Sequence, residues 1–180
     1  EGSSTSTRNP SIWFRNGYLH YDSSDVGKVT TSSVTPLSIW YHVSWVKNGT
    51  SSILRVNGET VLNEAISGSL TLYGNYYIGK ADNYFKGLID EVRIWNVART
   101  QAEIQANMEN LPNPTTQVGL LAYYKFDGNY INAQGNATWN GTPIGNPQLQ
   151  VNNACQNVDL SFQNQITTTD VSCNGVSDGH

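Results

Sequence analysis

Charge is what this chain has least of. Only 13% of its 180 residues are Asp, Glu, Lys or Arg, and the formal net charge is −4. No Lys/Arg cluster stands out against that background. Contacts to phosphate supply most sequence-independent affinity for nucleic acid, so a nucleic-acid partner is excluded. Long apolar runs are missing too. None approaches the roughly 20 residues of a membrane-spanning helix, and no membrane span is expected. Cysteine is limited to Cys155 and Cys173, and neither sits in a C-x2-C or His/Cys zinc spacing. They can pair with each other, or each with a cysteine elsewhere, and spacing does not choose between the two. In place of charge the chain is rich in Ser, Thr, Asn, Gly and Tyr. That surface is polar without being ionic, which points to a secreted or cell-surface setting.

Signatures of common chemistry are absent as well. There is no G-x-S-x-G, no P-loop and no H-E-x-x-H. Glu1 is not an initiator Met and no signal peptide precedes it, so a processed product or a piece of a longer protein is expected. The length suggests one domain, 1–151, followed by a linker and the start of a further repeat, 152–180.

Turn signals punctuate the chain. Asn16-Gly17, Asn48-Gly49, Asn57-Gly58, Gly74-Asn75 and Asp127-Gly128 separate short β-like runs at 11–15, 18–21, 28–32, 40–46, 53–56, 70–73, 76–78, 88–95 and 120–126. Asn-Gly and Asp-Gly between alternating apolar runs are strong hairpin signals. The clearest hairpin is WYHVSWVKNGTSSILRVNGETV, with Tyr41, Val43 and Trp45 on one face and His42 and Ser44 on the other. A new strand starts at Glu59. Many short strands with regular turns imply an all-β antiparallel sandwich. One short helix interrupts them. Thr100-Gln101-Ala102-Glu103 is a capping box, Ile104 and Met108 give an apolar stripe, and Pro112 and Pro114 limit its length.

The stretch FKGLIDEVRIWNVARTQAEI, 85–104, holds an anomaly. In an extended chain Leu88, Asp90, Val92 and Ile94 share one face, and Ile89, Glu91, Arg93 and Trp95 share the other. Asp90 then lies on an apolar face, where a carboxylate needs a cation or several donors. Arg93 or backbone N–H groups could satisfy it.

These residues resemble a known family. FKGLIDEVRIWNVARTQAEI looks like the signature of laminin G-like jelly-roll domains, within the concanavalin A-like lectin/glucanase superfamily. WYHVSWVKNGTSSILRVNGE is similar to that family's central hairpin, and GLLAYYKFDGNYINAQGNATWNGTPIG to its closing segment. The resemblance spans about 39–151. It implies a concanavalin A-like jelly-roll β-sandwich. The family's usual opening strands are not visible before Ser11, so the domain is expected to lack them or to receive them from a partner. DVSCNGVSDGH, 170–180, resembles the start of the SprB-type repeat of large surface adhesins in gliding Bacteroidetes, which the type IX system exports.

The resemblance also sets expectations for the site. In related glucanases an equivalent strand aspartate helps bind a structural calcium ion, so Asp90 is the candidate metal ligand and Ca2+ the candidate cofactor. The glucanase catalytic motif E-x-D-x-x-E is absent, so no enzyme is expected. Tyr76, Tyr77, Asp82, Asn83 and Tyr84 combine aromatic faces with polar groups, as sugar rings require, and form the candidate ligand-binding set. Ordinary edge and core aromatics would give the same pattern. Trp40, Trp45, Trp95 and Trp139 are expected in the core, and His20 and His42 as sheet residues. Asp127, Asn129 and Asn132 read as an Asx-rich turn rather than an EF-hand. Asn48, Asn136 and Asn140 sit in N-x-S/T sequons of the kind chance supplies.

The expected role is non-catalytic recognition, with a glycan or a surface protein as partner. Three rivals stand beside it: a spacer within a giant adhesin, a passenger of secretion or motility machinery, and an accessory carbohydrate-binding module of a polysaccharide-degrading enzyme.

Overall fold

The structure, a computed structural model, describes residues 10–22, 28–34, 38–66, 75–80 and 83–149, with the backbone alone over 28–34. The expected strand at 70–73, Asp82, both cysteines and the repeat-like tail lie outside the described residues. The described residues fall into two compact units, one within 1–86 and 98–108 and the other within 87–97 and 109–180.

The first unit holds two three-stranded antiparallel sheets. One is built from β1 (Ser11–Arg15), β2 (Tyr18–Asp22) and β3 (Lys28–Val34), and the other from β4 (Val43–Asn48), β5 (Ser51–Val56) and β6 (Glu59–Ala65). Strand neighbours in space are strand neighbours in sequence, and two-residue turns reverse the chain between β1 and β2, β4 and β5, and β5 and β6. Asn16 and Gly17 have φ of 54° and 77°, and Asn57 and Gly58 have 50° and 78°. Positive φ at both central residues is the type I′ turn, whose twist matches that of the flanking strands, and Asn-Gly is the pair that tolerates it. Asn48-Gly49 differs. Asn48 pairs with Ser51, so the turn residues are Gly49 and Thr50, one place later than the Asn-Gly signal suggests.

Alternation along the strands builds the core. Leu19 and Tyr21 of β2 are fully buried and cluster with Leu54 of β5 and Ile66. Val43, Trp45, Val56, Val61 and Leu62 pack around them. The register explains the grouping, since Trp45 lies opposite Leu54, Val43 opposite Val56, and Leu62 opposite Leu54. The rings of Tyr21 and Trp45 approach to 5.1 Å between centroids. The Trp45 indole N–H donates to Ser52 Oγ at 2.9 Å, so the one polar atom of that ring is satisfied. Trp40 departs from expectation at 43% exposed.

The helix α1 (Gln101–Gln105) carries the expected capping box. Glu103 N donates to Thr100 Oγ1 at 3.3 Å, and Thr100 N donates to the Glu103 carboxylate at 2.8 Å. Those bonds hold the Glu103 carboxyl below its ordinary pKa. The helix ends before Met108. Gln105 Nε2 ties it to the β5–β6 turn, donating to Gly58 O at 3.4 Å and to Glu59 Oε1 at 3.1 Å.

In the second unit β7 (Val92–Trp95) pairs antiparallel with β8 (Leu120–Tyr124). Leu111, Leu120 and Tyr123 form its core, with Trp95 and Ala133 against them. Residues 88–91, expected to extend β7, do not join it. Glu91 has φ of 54°, a left-handed conformation that breaks strand alternation. Among the described residues no helix is long and apolar enough to cross a membrane.

Leu54, with no exposed surface, and Leu88, at 55% exposed, give opposite expectations for one chemical change. Leu54→Ala lowers unfolding free energy by about 3 kcal/mol, and Leu88→Ala by less than about 0.5 kcal/mol. Urea midpoints at unchanged m-value measure both.

Candidate functional site: an aromatic turn and a half-buried carboxylate

The tyrosine-rich segment is a tight reversal rather than a strand at 76–78. Lys80 and Tyr84 form an isolated antiparallel bridge, and Phe85 N donates to Gly79 O at 2.8 Å. Tyr77 is 53% exposed and Tyr84 is 59% exposed, with Tyr76 and Asn83 also at the surface. Between the two tyrosines stands a residue the sequence reading passed over. Lys80 Nζ lies 5.4 Å from the Tyr77 ring centroid and 5.5 Å from that of Tyr84. A cation at that distance is attracted by the electron-rich ring faces, so Lys80 links the two rings. Phe85 meets Phe14 of β1 at 6.2 Å between centroids, which anchors the reversal to the first sheet. Four of the five expected ligand-binding residues, Tyr76, Tyr77, Asn83 and Tyr84, therefore fall in one exposed turn region. Asp82 belongs to the same turn in sequence and lies outside the described residues.

Asp90 occupies a different unit and a different environment. It is half-buried, and its pKa is raised to about 6. Loss of water around the carboxylate is the main cause. The Glu91 backbone N–H opposes the rise by donating to it, while the charges of Glu91 and Asp127 reinforce the rise. The charge of Arg93 opposes the rise as well, as the smallest of these effects. The Arg93 guanidinium donates to the Glu91 carboxylate, which also accepts from Tyr123 Oη. Arg93 and Tyr123 are cross-strand neighbours, and the guanidinium carbon lies 4.9 Å from the Tyr123 ring centroid. Burial and the bond to Glu91 push the Tyr123 phenol up to about 12. Glu91 Oε2 is thus held by two donors, whereas Asp90 has one backbone donor, two like charges and the weaker influence of Arg93. Such a carboxylate can hold a proton near neutrality or answer to a cation. Among the described residues no three His, Cys, Asp or Glu side chains gather as a metal cluster.

The chain matches, over residues 4–105, the laminin G-like Laminin_G_3 family of the concanavalin A-like lectin/glucanases superfamily. The match covers more than half of the 180 residues. The chain belongs to this superfamily. The matched region takes in β1 through α1, so it begins well before the 39–151 stretch that carries the sequence resemblance. No curated protein matches. A crystal structure of a candidate carbohydrate-binding protein from Bacteroides ovatus shares the fold. It has a TM-score of 0.57 and 24% identity, over 66% of this chain and 38% of that one. This chain therefore spans well under half of that protein's length. An S-layer domain-containing protein from Clostridium thermocellum aligns with a TM-score of 0.38 and 23% identity, over 54% of this chain and 62% of that one.

Within this laminin G-like chain the closing segment is structural. Asn129 Oδ1 accepts from Ile131 N at 2.9 Å, the Asx turn expected there. Asn132 is 2% exposed and stitches the segment together. Its Oδ1 accepts from Tyr123 N at 2.9 Å and Gln134 N at 3.0 Å, and its Nδ2 donates to Asn136 O at 3.1 Å. Two sequon asparagines serve the same end. Asn136 Oδ1 caps the 3-10 turn Ala137–Trp139 through Thr138 N, and Asn140 Oδ1 accepts from Asn132 N.

The raised pKa of Asp90 has a definite sign. A carboxyl with a folded pKa near 6 against an ordinary 3.8 binds its proton more tightly in the folded state. Its contribution to stability is full below about pH 4 and is lost as pH rises through about 6. Asp90→Asn removes that dependence. In chelator-containing buffer the variant should gain on the parent between pH 4 and 6 and hold a constant lead above 6. Urea midpoints taken across pH check this, and parallel profiles contradict it.

Proposed function

We propose that this chain is a non-catalytic recognition module that binds glycan through the exposed turn carrying Tyr77, Lys80 and Tyr84, within a larger secreted or cell-surface protein. The observation that carries this reading is the pair of half-exposed tyrosine rings fixed about one lysine. Sugar rings present apolar C–H faces that stack on aromatic rings and hydroxyls that need donors and acceptors. Tyr77 and Tyr84 supply the rings, and the Lys80 ammonium and the Asn83 amide supply polar groups. Ile78 and Phe85, at 39% and 42% exposed, extend the apolar surface beside them. Exposed aromatic and apolar side chains gathered in one turn about a cation favour an interaction site over a passive spacer. Superfamily membership and the description of the Bacteroides ovatus protein lend support. Tyr84→Ala should lose binding on a glycan array on which the parent scores, with thermal stability unchanged. A parent that binds no glycan removes the reading.

A structural calcium ion at Asp90 is the second part of the proposal. The donor chemistry fits a hard cation: Asp90 is half-buried with one backbone donor and feels Glu91 and Asp127 as like charges. Glu91 Oε2 is already held by Arg93 and Tyr123. Calcium takes 6–8 oxygens, so backbone carbonyls and water would complete its shell. When bound, the ion supplies the positive charge that two crowded carboxylates need. Chelation should then lower the melting temperature, and Asp90→Ala should abolish the difference. Identical melts with and without chelator would sink the calcium assignment while leaving the glycan reading untouched.

A further inference from the structure

Arg55 is the least explained side chain of the first unit. It lies on β5 between Leu54 and Val56, and it is 6% exposed. Its Nε and Nη1 reach neither solvent nor an acceptor. Burying guanidinium N–H groups such as these without an acceptor is costly. Strand alternation puts Arg55 on the face of its sheet opposite Leu54, and so away from the core. Its cross-strand neighbours are Ser44 on β4 and Thr60 on β6, and neither carries charge. Ser44 Oγ is likewise buried without a partner. The acids of β6 have other roles. Glu59 accepts from Gln105, and Glu64 interacts with the Tyr21 phenol.

Two unanswered donors, side by side on adjacent strands and sealed from water, call for one acceptor that carries negative charge. We infer that Arg55 and Ser44 form an anion-binding site on this sheet face that takes a single small oxyanion: a carboxylate, sulfate or phosphate group. Guanidinium geometry matches such groups, which accept two hydrogen bonds from one arginine and a third from a hydroxyl. The next rung of the same face is Val46 opposite Ile53, an apolar margin that keeps water from competing. The site shares none of its residues with the tyrosine turn. The oxyanion can arrive as a free ion or as the acid group of a uronic or sulfated sugar, and the experiment separates these sources.

The full chain is melted in chloride buffer at matched ionic strength, with sodium sulfate, phosphate, glucuronate or neutral glucose titrated in. The parent should show a saturable rise in melting temperature with at least one oxyanion and none with glucose. Arg55→Met should show only the gradual rise that excluded salts give to any protein. It should also melt no lower than the anion-free parent, because an apolar side chain replaces an uncompensated charge. Ser44→Ala should weaken the apparent affinity about tenfold, and it decides the question should Arg55→Met not fold. A response to sulfate or phosphate alone supports a free structural anion, and a response to glucuronate supports an acidic sugar as the source. Parallel curves for parent and Arg55→Met with every anion, or unchanged affinity in Ser44→Ala, overturn the site.

Discussion

The meeting of Tyr21 and Trp45 is the contact on which the first unit depends. One ring comes from each sheet, and both face the interior because strand alternation puts them with Leu19, Leu54 and Leu62. Trp45 is held in place by its bond to Ser52, so the largest side chain of the core has a fixed orientation. Every exposed feature of the unit is referred to that frame. The tyrosine turn reaches it through Phe85 and Phe14, the helix through Gln105 and the β5–β6 turn, and Arg55 through the strand that also carries Leu54.

Much of this frame was legible in the sequence, for reasons that can be named. Asn16-Gly17 and Asn57-Gly58 announce their turns because positive φ at two successive positions is tolerated by few other pairs. Thr100 and Glu103 announce the helix start because each answers a backbone N–H that the first turn leaves unpaired. The over-long strand at 88–95 shows where such reasoning stops. Apolar alternation there was genuine, but Glu91 adopts a left-handed backbone that no residue type at that place advertises. The left-handed residue places Glu91 with Arg93 and Tyr123, and Asp90 is left half-buried beside the charges of Glu91, Asp127 and Arg93.

The candidate sites were less legible than the fold. Tyr76, Tyr77, Asn83 and Tyr84 were visible as a composition, whereas the lysine that organises two of those rings gave no signal beyond its place among tyrosines. Arg55 was visible only as a charged residue inside a buried strand, a sign that carries meaning once its neighbours are known to be Ser44 and Thr60. Trp40 erred the other way, because a tryptophan beside a strand reads as core and here stands at the surface. Asn132 was read as part of an Asx turn, and its burial at the centre of the closing segment depends on contacts with residues 123, 134, 136 and 140 that spacing alone does not reveal.

The two-residue reversals have a kinetic side. Hairpins such as β1–β2 and β4–β5–β6 join neighbours in sequence, so each can close on the microsecond scale of an isolated hairpin with little loop entropy to overcome. The β7–β8 pair must instead bring Trp95 to Leu120 across α1 and the proline-bearing segment at 112–114. Its closure waits on a longer loop, and contacts of long sequence separation are those that slow folding most. Sequence separation alone therefore favours the hairpins forming before the β7–β8 pair. In that order Glu91, Arg93 and Tyr123 come together in the later step.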